Sequence, residues 1–514
     1  METTAKPARR RRGRAESQAA PAARKPDYRR IKNTLPKAKV FSDDEVASIH
    51  DTALRVIEEL GMRVLLPAGR DLLKKAGATV DEDTWMVKVD RGIVEQAIKS
   101  APSSFDVEGG APGRSVTYGD DMLIFAPGSG CPNITDAERG RRPGTIADYL
   151  ETCKLHQSFD VIHQLGPSIE PQDVPVQFRH YAMMAGQIEL TDKVPWVYSR
   201  GTPQCVDSFQ MLMAARGIDE AAFRAKPHCV TVINTNSPRQ LDIPMTQGIM
   251  DFAAWGQPSI ITPFCLSGAM APITIPGALT LSHAEAMLGI TVAQLVNPGS
   301  PVVYGSFSSN VDMRSGAPAF GTPEHIKTNF GGGQLARLID IPWRSAAGTA
   351  SNTADVQADY ETQLSLWGTL LGGANLVLHA AGWLEGGLTF GYEKFITDVE
   401  ILQSLAETML PVPCTEEDIG FDAIAEVQPG GHFFAASQTM ERYNTQFYEP
   451  FVSDWSNFGQ WTEAGSKTAT ERATGIWKNL LADFEAPAFD PSCKEAVDAF
   501  VAKRTEEGGA PPES

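Results

Sequence analysis

Short apolar runs alternate with helix-length segments through the middle of the chain. The runs are rich in β-branched residues and recur about every 36 residues, a spacing typical of parallel strand–helix–strand units. They occupy positions 122–126, 161–165, 194–198, 229–234, 259–264, 302–307, 343–347 and 376–380. Strands that are apolar at nearly every position are buried on both faces, so eight such units predict an α/β fold that closes as a (β/α)8 TIM barrel. An open doubly wound sheet is the alternative.

The regions on either side of the predicted barrel have a helical period instead. Ser42 and Glu45 have the spacing of a capping box, and Val46, Ile49 and Ala53 then recur on one helix face. We therefore expect five parts: a disordered basic tail (1–36), an α-rich cap or docking region (37–115), the barrel catalytic domain (116–395), a C-terminal helical extension (396–500) and a disordered tail (501–514).

The charge distribution argues against several classes of partner. The 514-residue chain has 45 Lys and Arg against 63 Asp and Glu, although its first 30 residues hold ten basic and three acidic side chains. The remaining body is strongly acidic, so we expect no nucleic-acid partner. The longest apolar runs are shorter than the roughly 20 residues of a membrane span, so we expect no membrane partner. Seven cysteines without a Cys-x-x-Cys pair indicate a reduced, cytoplasmic protein.

The carboxyl ends of the predicted strands carry aromatic and amide side chains but few catalytic pairs. In a barrel the active site lies at these ends. Several aromatic rings around one mouth would hold a quaternary ammonium group by cation–π attraction, and an arginine would hold a carboxylate. His379 follows the eighth run and is either a general base or a hydrogen-bonded core histidine. His228, Cys229 and Cys265 are the only hints of a zinc site.

Several longer stretches resemble one known family. They are Ala-Gly-Thr-Ala-Ser-Asn at 347–352, Ala-Asp-Tyr-Glu at 358–361, Gly-Gly-Ala-Asn at 372–375 and Gly-Trp-Leu-Glu-Gly-Gly-Leu-Thr-Phe at 382–390. Further matches lie at 140–143, 267–272, 304–307 and 312–318. Over residues 37–470 the chain resembles the trimethylamine methyltransferase family of corrinoid-dependent enzymes. The resemblance implies a (β/α)8 barrel and methyl transfer from an amine to a corrinoid protein.

One departure from the family pattern bears on the substrate. The trimethylamine enzymes carry pyrrolysine just after the Gly-Thr that matches Gly348 and Thr349, and this chain has Ala350 at that position. In the family, pyrrolysine is associated with activating a tertiary amine, which is otherwise a poor methyl donor. A quaternary amine needs no such help, because it leaves as a neutral tertiary amine. The resemblance therefore implies the branch without pyrrolysine, similar to glycine betaine:corrinoid methyltransferases, and a betaine as substrate.

The resemblance also implies roles for individual residues. The expected aromatic cage consists of Phe264, Phe307, Tyr360, Trp383 and Phe390. Arg314 or Arg344 would orient the substrate carboxylate, with Ala350 beside the substrate. His379 and Glu385 would be the catalytic groups near the reacting face. The methyl acceptor would be a corrinoid, methylcobalamin after transfer, on a separate partner protein. The chain itself would hold no permanent cofactor and no metal, and we expect a homo-oligomer.

Two other functions fit the same sequence. A zinc-assisted methyltransferase or lyase on the same barrel would contain stoichiometric zinc. A non-catalytic betaine-binding protein would bind its ligand tightly without transferring a methyl group to any corrinoid.

Overall fold

The computed structural model describes residues 27–513, which have an α/β architecture. Six parallel strands form the main sheet in the spatial order β7 (Met122–Phe125), β17 (Leu376–Leu378), β16 (Trp343–Ala346), β13 (Val302–Gly305), β12 (Ser259–Ile261) and β10 (Thr231–Ile233). A short strand, β1 (Ile31–Lys32), pairs antiparallel with β7. Every residue of β12, β13 and β17 is buried, which explains their near-continuous apolar sequences.

The other two predicted strands, 161–165 and 194–198, have backbone hydrogen bonds to both ends of this six-stranded row. The His163 N–H donates to the carbonyl of Phe125 in β7 (3.0 Å), and the Leu165 N–H donates to the carbonyl of Val194 (3.0 Å). The Val197 N–H donates to the carbonyl of residue 230, next to β10 (2.9 Å). Isolated parallel bridges join the same segments. Backbone hydrogen bonds therefore lead from β7 through both segments to β10.

Helices alternate with these strands along the chain. They are α4 (Ile146–Gln157), α5 (Val176–Leu190), α6 (Thr202–Arg216), α7 (Glu220–Ala225), α8 (Ile243–Ala254), α9 (Ile275–Val296), α10 (Pro323–Leu338) and α11 (Val356–Gly372). Several begin at a side-chain cap. Thr145 and Asp148 form a capping box at α4, and the Asp355 carboxylate accepts hydrogen bonds from two N–H groups at the start of α11. The strand–helix alternation predicted from the sequence is therefore present.

The central helix α9 has an unusually apolar sequence. Within residues 27–513 it is the one helix that is long and apolar enough to cross a membrane by length and composition. In the structure, 78% of its most apolar 18-residue window is buried inside the protein. Its buried residues include His283 and Glu285, which have polar partners in neighbouring elements. In this fold, α9 is thus a core helix.

Residues 37–115 contain three helices and short strands. The helices are α1 (Asp43–Arg55), α2 (Pro67–Lys75) and α3 (Arg91–Ser100). One small sheet contains β2 (Met62–Val64), β3 (Thr79–Asp81), β4 (Met86–Lys88) and β11 (Gln240–Leu241), and another contains β5 (Phe105–Val107) and β6 (Val116–Tyr118). Ser42 and Glu45 form the predicted capping box at α1. The strands of these two small sheets are two or three residues long, too short for an alternating sequence pattern to predict them.

The structure differs from the prediction at both tails. Residues 1–26 lie outside the described part of the chain. Tyr28 and Ile31 belong to the predicted 1–36 tail, yet both are buried, and Ile31 pairs with Leu123 of β7. At the other end, α18 (Pro491–Glu506) extends into the predicted 501–514 tail, and Ala510 beyond it is 1% exposed. The composition does not predict that these two segments are ordered, because a few side chains suffice to dock a chain end on an already folded surface.

The chain after the main sheet is mainly helical. Helices α12 (Tyr392–Met409), α16 (Phe458–Glu463), α17 (Ala469–Ala482) and α18 belong to the same compact unit as residues 28–410. Residues 411–449 belong to a second unit, with helices α13 (Glu416–Ile419), α14 (Phe421–Glu426) and α15 (Ser437–Arg442). Within this second unit, Arg442 donates to the Asp418 carboxylate (2.7 Å), and the Phe434 side chain is exposed.

Two further small sheets follow the carboxyl ends of the main strands. One contains β8 (Asn133–Thr135), β9 (Arg142–Pro143), β18 (Trp383–Leu384) and β19 (Thr389–Gly391). The other contains β14 (Asn310–Val311) and β15 (Pro318–Ala319). Because these strands come a few residues after β7, β13 and β17, they lie beyond the carboxyl-end face of the main sheet.

Candidate functional site

A cavity of about 640 Å³ lies at the carboxyl ends of the parallel strands. This is the face on which α/β proteins built from parallel strands bind their ligands. The residues lining the cavity are Ser129, Gly130, Pro167, Trp196, Tyr198, Ser199, Arg200, Thr231, Val232, Asn234, Thr235, Asn236, Ser237, Met245, Phe264, Met270, Phe307, Arg344, Leu378, His379, Trp383, Gly386 and Gly387.

Three aromatic residues, Phe264, Phe307 and Trp383, form what we call the aromatic wall. The ring centre of Phe307 lies 5.0 Å from that of Phe264 and 6.1 Å from that of Trp383. Trp196 and Tyr198 add two more rings to the cavity lining from the 194–198 segment. Aromatic faces around a partly dry cavity attract organic cations, because the ring faces carry partial negative charge. The cavity is therefore suited to a quaternary ammonium group.

Backbone packing and a buried ion pair hold Trp383 in place. A Cβ atom on Gly387 would lie 2.6 Å from the Trp383 ring, and the Gly387 φ of +107° favours glycine. The Asp398 carboxylate in α12 accepts a hydrogen bond from the Gly382 N–H (2.8 Å) and is paired with Lys394. The Gly-Trp-Leu-Glu-Gly-Gly sequence is thus needed to position the indole.

Arg344 is a buried cation in the cavity lining. It lies in β16, is 2% exposed, and its guanidinium carbon lies 5.0 Å from the centre of the Phe307 ring. Its Nε and Nη1 atoms have no hydrogen-bond partner among the described residues, and no carboxylate of residues 27–513 forms an ion pair with it. Burial lowers the pKa of Arg344 to about 9. Such a guanidinium is costly to bury and is complementary to an anionic ligand.

His379 lies beside Arg344 at the end of β17. Its Nδ1 atom lies 3.2 Å from the Ser129 backbone nitrogen, and its Nε2 atom lies 3.3 Å from Nη2 of Arg344. Burial, and secondarily Arg344, lower the pKa of His379 well below its usual value, so the ring is neutral. Its ring stacks on Trp383 (4.5 Å), and its φ is +58°. Arg344 and His379 therefore lie side by side in the cavity lining, and Nε and Nη1 of Arg344 are the donors without a partner among the described residues.

A second part of the cavity lining is held by a buried carboxylate that was not predicted as a site residue. Glu285 in α9 is completely buried and accepts hydrogen bonds from the hydroxyls of Thr235 (2.5 Å) and Ser237 (2.7 Å) and from the Arg239 N–H (2.7 Å). Thr235 and Ser237 line the cavity. The available signal was an acid inside the apolar helix α9, because a carboxylate there must find donors.

The structure brings five of the predicted site residues together at the cavity. They are Phe264, Phe307, Arg344, His379 and Trp383.

Three other predicted residues lie away from the cavity lining. Arg314 is exposed in the turn between β14 and β15, and Tyr360 on α11 is 52% exposed. Phe390 in β19 is fully buried, with its ring against His156 and Phe395. The structure therefore corrects the expected cage and carboxylate ligand at these positions, because each side chain points from its backbone into solvent or into a different part of the core.

Glu385 and Ala350 are next to cavity-lining residues but have other partners. The two carboxylate oxygens of Glu385 accept hydrogen bonds from Arg141 (2.9 and 3.0 Å), and its φ is +55°. The Ala350 N–H donates to the Glu361 carboxylate (2.9 Å), which also accepts from the Thr349 hydroxyl (2.5 Å). Neither Glu385 nor Ala350 lines the cavity. Both positions shape the loops on which the lining residues lie.

The residues that hinted at zinc have other partners, and the Cys265 thiol lies 3.1 Å from the hydroxyl of the cavity-lining Ser237. His228 contacts the Arg216 guanidinium, and burial raises the pKa of the Cys229 and Cys265 thiols. Across residues 27–513, no group of three or more His, Cys, Asp or Glu side chains is arranged to hold a metal ion.

Comparison with known proteins identifies the family. The trimethylamine methyltransferase family matches residues 8–509. Glycine betaine methyltransferase of Desulfitobacterium hafniense (strain Y51) is 35% identical over 477 residues, which cover 92% of this chain and 99% of that protein. Trimethylamine methyltransferase MttB of Desulfitobacterium hafniense (strain DSM 10664 / DCB-2) is 30% identical over 473 residues, which cover 91% of this chain and 94% of that protein.

Among solved structures, the monomethylamine methyltransferase MtmB of Methanosarcina barkeri aligns over 93% of this chain and 97% of its own length, with 10% identity and a TM-score of 0.41. The two sequence relatives and the family match each span nearly the whole chain. The protein therefore belongs to the trimethylamine methyltransferase family.

Proposed function

We propose that this methyltransferase takes a methyl group from a betaine, a quaternary amine that also carries a carboxylate, and transfers it to a corrinoid carried by a separate protein. Glycine betaine is the substrate of the relative that is 35% identical to this chain, by that protein's name. The observation that carries the proposal is Arg344, a buried guanidinium in the cavity lining whose Nε and Nη1 atoms have no partner among the described residues.

A betaine matches both features of the cavity lining. Its carboxylate would accept hydrogen bonds from the Nε and Nη1 donors of Arg344, beside the neutral His379. Its ammonium group would lie against the aromatic wall, where Phe307 is next to both the guanidinium and Trp383. Trimethylamine has no carboxylate, so it would leave the buried cation unpaired.

The position after Gly348 and Thr349 supports the same substrate. Ala350 stands where the trimethylamine enzymes of the family carry pyrrolysine, and its N–H is used to fix the loop through Glu361. This site supplies no side-chain group for activating a tertiary amine. A quaternary substrate has no need of one, since the C–N electron pair stays on nitrogen and a neutral tertiary amine departs without proton transfer.

The chain contributes binding, orientation and exclusion of water to this reaction. A reduced corrinoid, when presented by its carrier protein, supplies the nucleophile that accepts the methyl group. The rim residues Arg200, Asn234 and Asn236 are exposed, so the cavity can be reached from outside, as a separately carried acceptor requires. The aromatic wall and Arg344 would hold the substrate in one orientation, which lowers the entropic part of the barrier.

The fold proposal is a closed (β/α)8 barrel with a small α-rich N-terminal region and a C-terminal helical extension. It is supported by the backbone hydrogen bonds that lead from β7 through 161–165 and 194–198 to β10. In this arrangement residues 116–395 would be the catalytic domain. The cytoplasmic location and the homo-oligomer expected from the sequence stay predictions.

The first experiment is methyl transfer from a panel of quaternary and tertiary amines to chemically reduced free cobalamin, followed by absorbance. The proposal expects methylcobalamin from glycine betaine or another betaine, and none from trimethylamine or from choline, which lacks the carboxylate. Equal rates with choline and glycine betaine would contradict the role of Arg344. The protein would instead be a betaine-binding protein if no amine yields a methylated corrinoid, even with carrier-bound corrinoids present, while calorimetry shows tight betaine binding.

A further inference from the structure

Residues 508–513 lie across α5 and α6 and are called the C-terminal strap below. The Ala510 N–H donates to the Gln177 carbonyl at the start of α5 (3.1 Å), and the Ala510 carbonyl accepts from the Gln204 side chain in α6 (2.8 Å). The Glu513 N–H donates to the carbonyl of Arg200, just before α6 (3.0 Å). Ala510 is 1% exposed. These contacts place the strap in a fitted groove.

The helix before the strap has its own anchor. Arg504 near the end of α18 donates to both carboxylate oxygens of Asp207 in α6 (3.1 and 3.0 Å), and the Tyr181 hydroxyl donates to the same carboxylate (2.5 Å). Val497 and Phe500 pack into a hydrophobic cluster with side chains of α5 and α6. Because these contacts lie before residue 508, α18 can stay docked when the strap is removed.

The strap touches the outer side of residues that form the substrate cavity. Pro512, Tyr198 and Arg200 together line a small void of about 20 Å³ beneath the strap. Tyr198 and Arg200 also line the main cavity. Gly201 lies between Arg200 and α6 and has a φ of +111°. A glycine restrains its own backbone little, because it has no Cβ atom. The hydrogen bond from the strap to Arg200 therefore restrains a loop whose glycine leaves its backbone flexible.

We propose that the C-terminal strap is a positioning element for the substrate cavity. Its hydrogen bond to Arg200 holds one part of the cavity lining in the conformation that binds ligand. Without the strap, the loop at 198–201 samples other conformations, and part of the binding free energy is spent on ordering it. The inference rests on the proposed function only in naming a betaine as the ligand.

The test compares the full chain with a chain that ends at Glu507, so that α18 and its ion pair to Asp207 remain. Gly509→Val provides a second way to displace the strap, because a Cβ at this position would lie 2.6 Å from the Gln177 carbonyl oxygen. Glu506→Ala is the matched control, since this exposed side chain near the end of α18 lies before the strap. Hydrogen–deuterium exchange of peptides covering 198–204 is measured beside KM and kcat for glycine betaine.

In the truncated chain and in Gly509→Val, we expect exchange at 198–204 to accelerate at least tenfold and KM to rise about three- to tenfold, with kcat within twofold. Glu506→Ala should resemble the full chain. Faster exchange with an unchanged KM would overturn the positioning role, and so would unchanged exchange. If the full chain neither binds nor demethylates glycine betaine, the proposed function fails, whereas the exchange result still decides whether the strap orders this loop.

Discussion

Two buried charged side chains beside the same cavity differ in whether the protein satisfies their hydrogen bonds. Glu285 accepts three hydrogen bonds from the 235–239 segment, so its carboxylate is fully used within the protein. Arg344 is equally buried, but two of its nitrogen atoms have no partner among residues 27–513. A satisfied buried charge organises its surroundings, whereas an unsatisfied one is retained at a cost in stability. The contrast separates a residue that builds the cavity from one that is available to the ligand.

The largest expected effect comes from Arg344→Met, which removes the unpaired charge but keeps much of its volume. We expect betaine binding to weaken by about 2–5 kcal/mol, because the substrate carboxylate would then be buried without its cation. The thermal unfolding midpoint should stay the same or rise, because removing a buried charge without a carboxylate partner offsets the loss of its contacts with Phe307 and His379. Calorimetric titration and a melting curve test both statements. Retention of tight betaine binding would remove the main support for the proposed substrate.

Glu285→Gln, unlike Arg344→Met, should lower the stability of the protein. The NH2 of the new amide group would face groups that donate hydrogen bonds to the Glu285 carboxylate. We therefore expect the free energy of unfolding to fall by about 1–3 kcal/mol. The loss is read from urea denaturation, with Glu324→Gln on the exposed side of α10 as control. A variant as stable as the parent would show that Glu285 is less important to the fold than its three hydrogen bonds indicate.

Trp383→Ala tests the aromatic wall next to Arg344. We expect betaine affinity to fall by roughly 1–2 kcal/mol through loss of the cation–π contact, while Trp383→Phe should retain most of it. Binding is measured on protein shown to be folded by circular dichroism. An unchanged affinity in the alanine variant would argue against an ammonium group at this wall.

The smallest effects are expected at the predicted residues that the structure places outside the cavity. Arg314→Ala and Tyr360→Ala remove exposed side chains, so KM and kcat for glycine betaine should change less than about twofold, as is usual for surface substitutions. A large rise in KM for Arg314→Ala would mean that its loop reaches the substrate, and it would weaken the assignment of Arg344 as the carboxylate ligand.

The sequence predicts the strand pattern well because burial on both faces leaves a strong signal. Each of the eight apolar runs corresponds to a strand of the main sheet or to a segment hydrogen-bonded to it. Five predicted site residues meet at the cavity because they lie in strands or directly after them, where position along the chain determines position in space. Tyr360 and Phe390 do not, because Tyr360 lies in α11 and Phe390 in the short strand β19, neither of which is at the carboxyl end of a main-sheet strand.

The sequence alone therefore determined the order of strands and helices, the end of the sheet that carries the cavity, and the resemblance to a family. Tertiary structure decided which arginine is buried and unpaired, that Glu285 supports the cavity from α9, and that residues 508–513 dock near Arg200. The physical reason is that periodicity records only whether a position is buried. Which donor meets which acceptor depends on contacts between residues that are far apart in the chain, and folding alone brings these together.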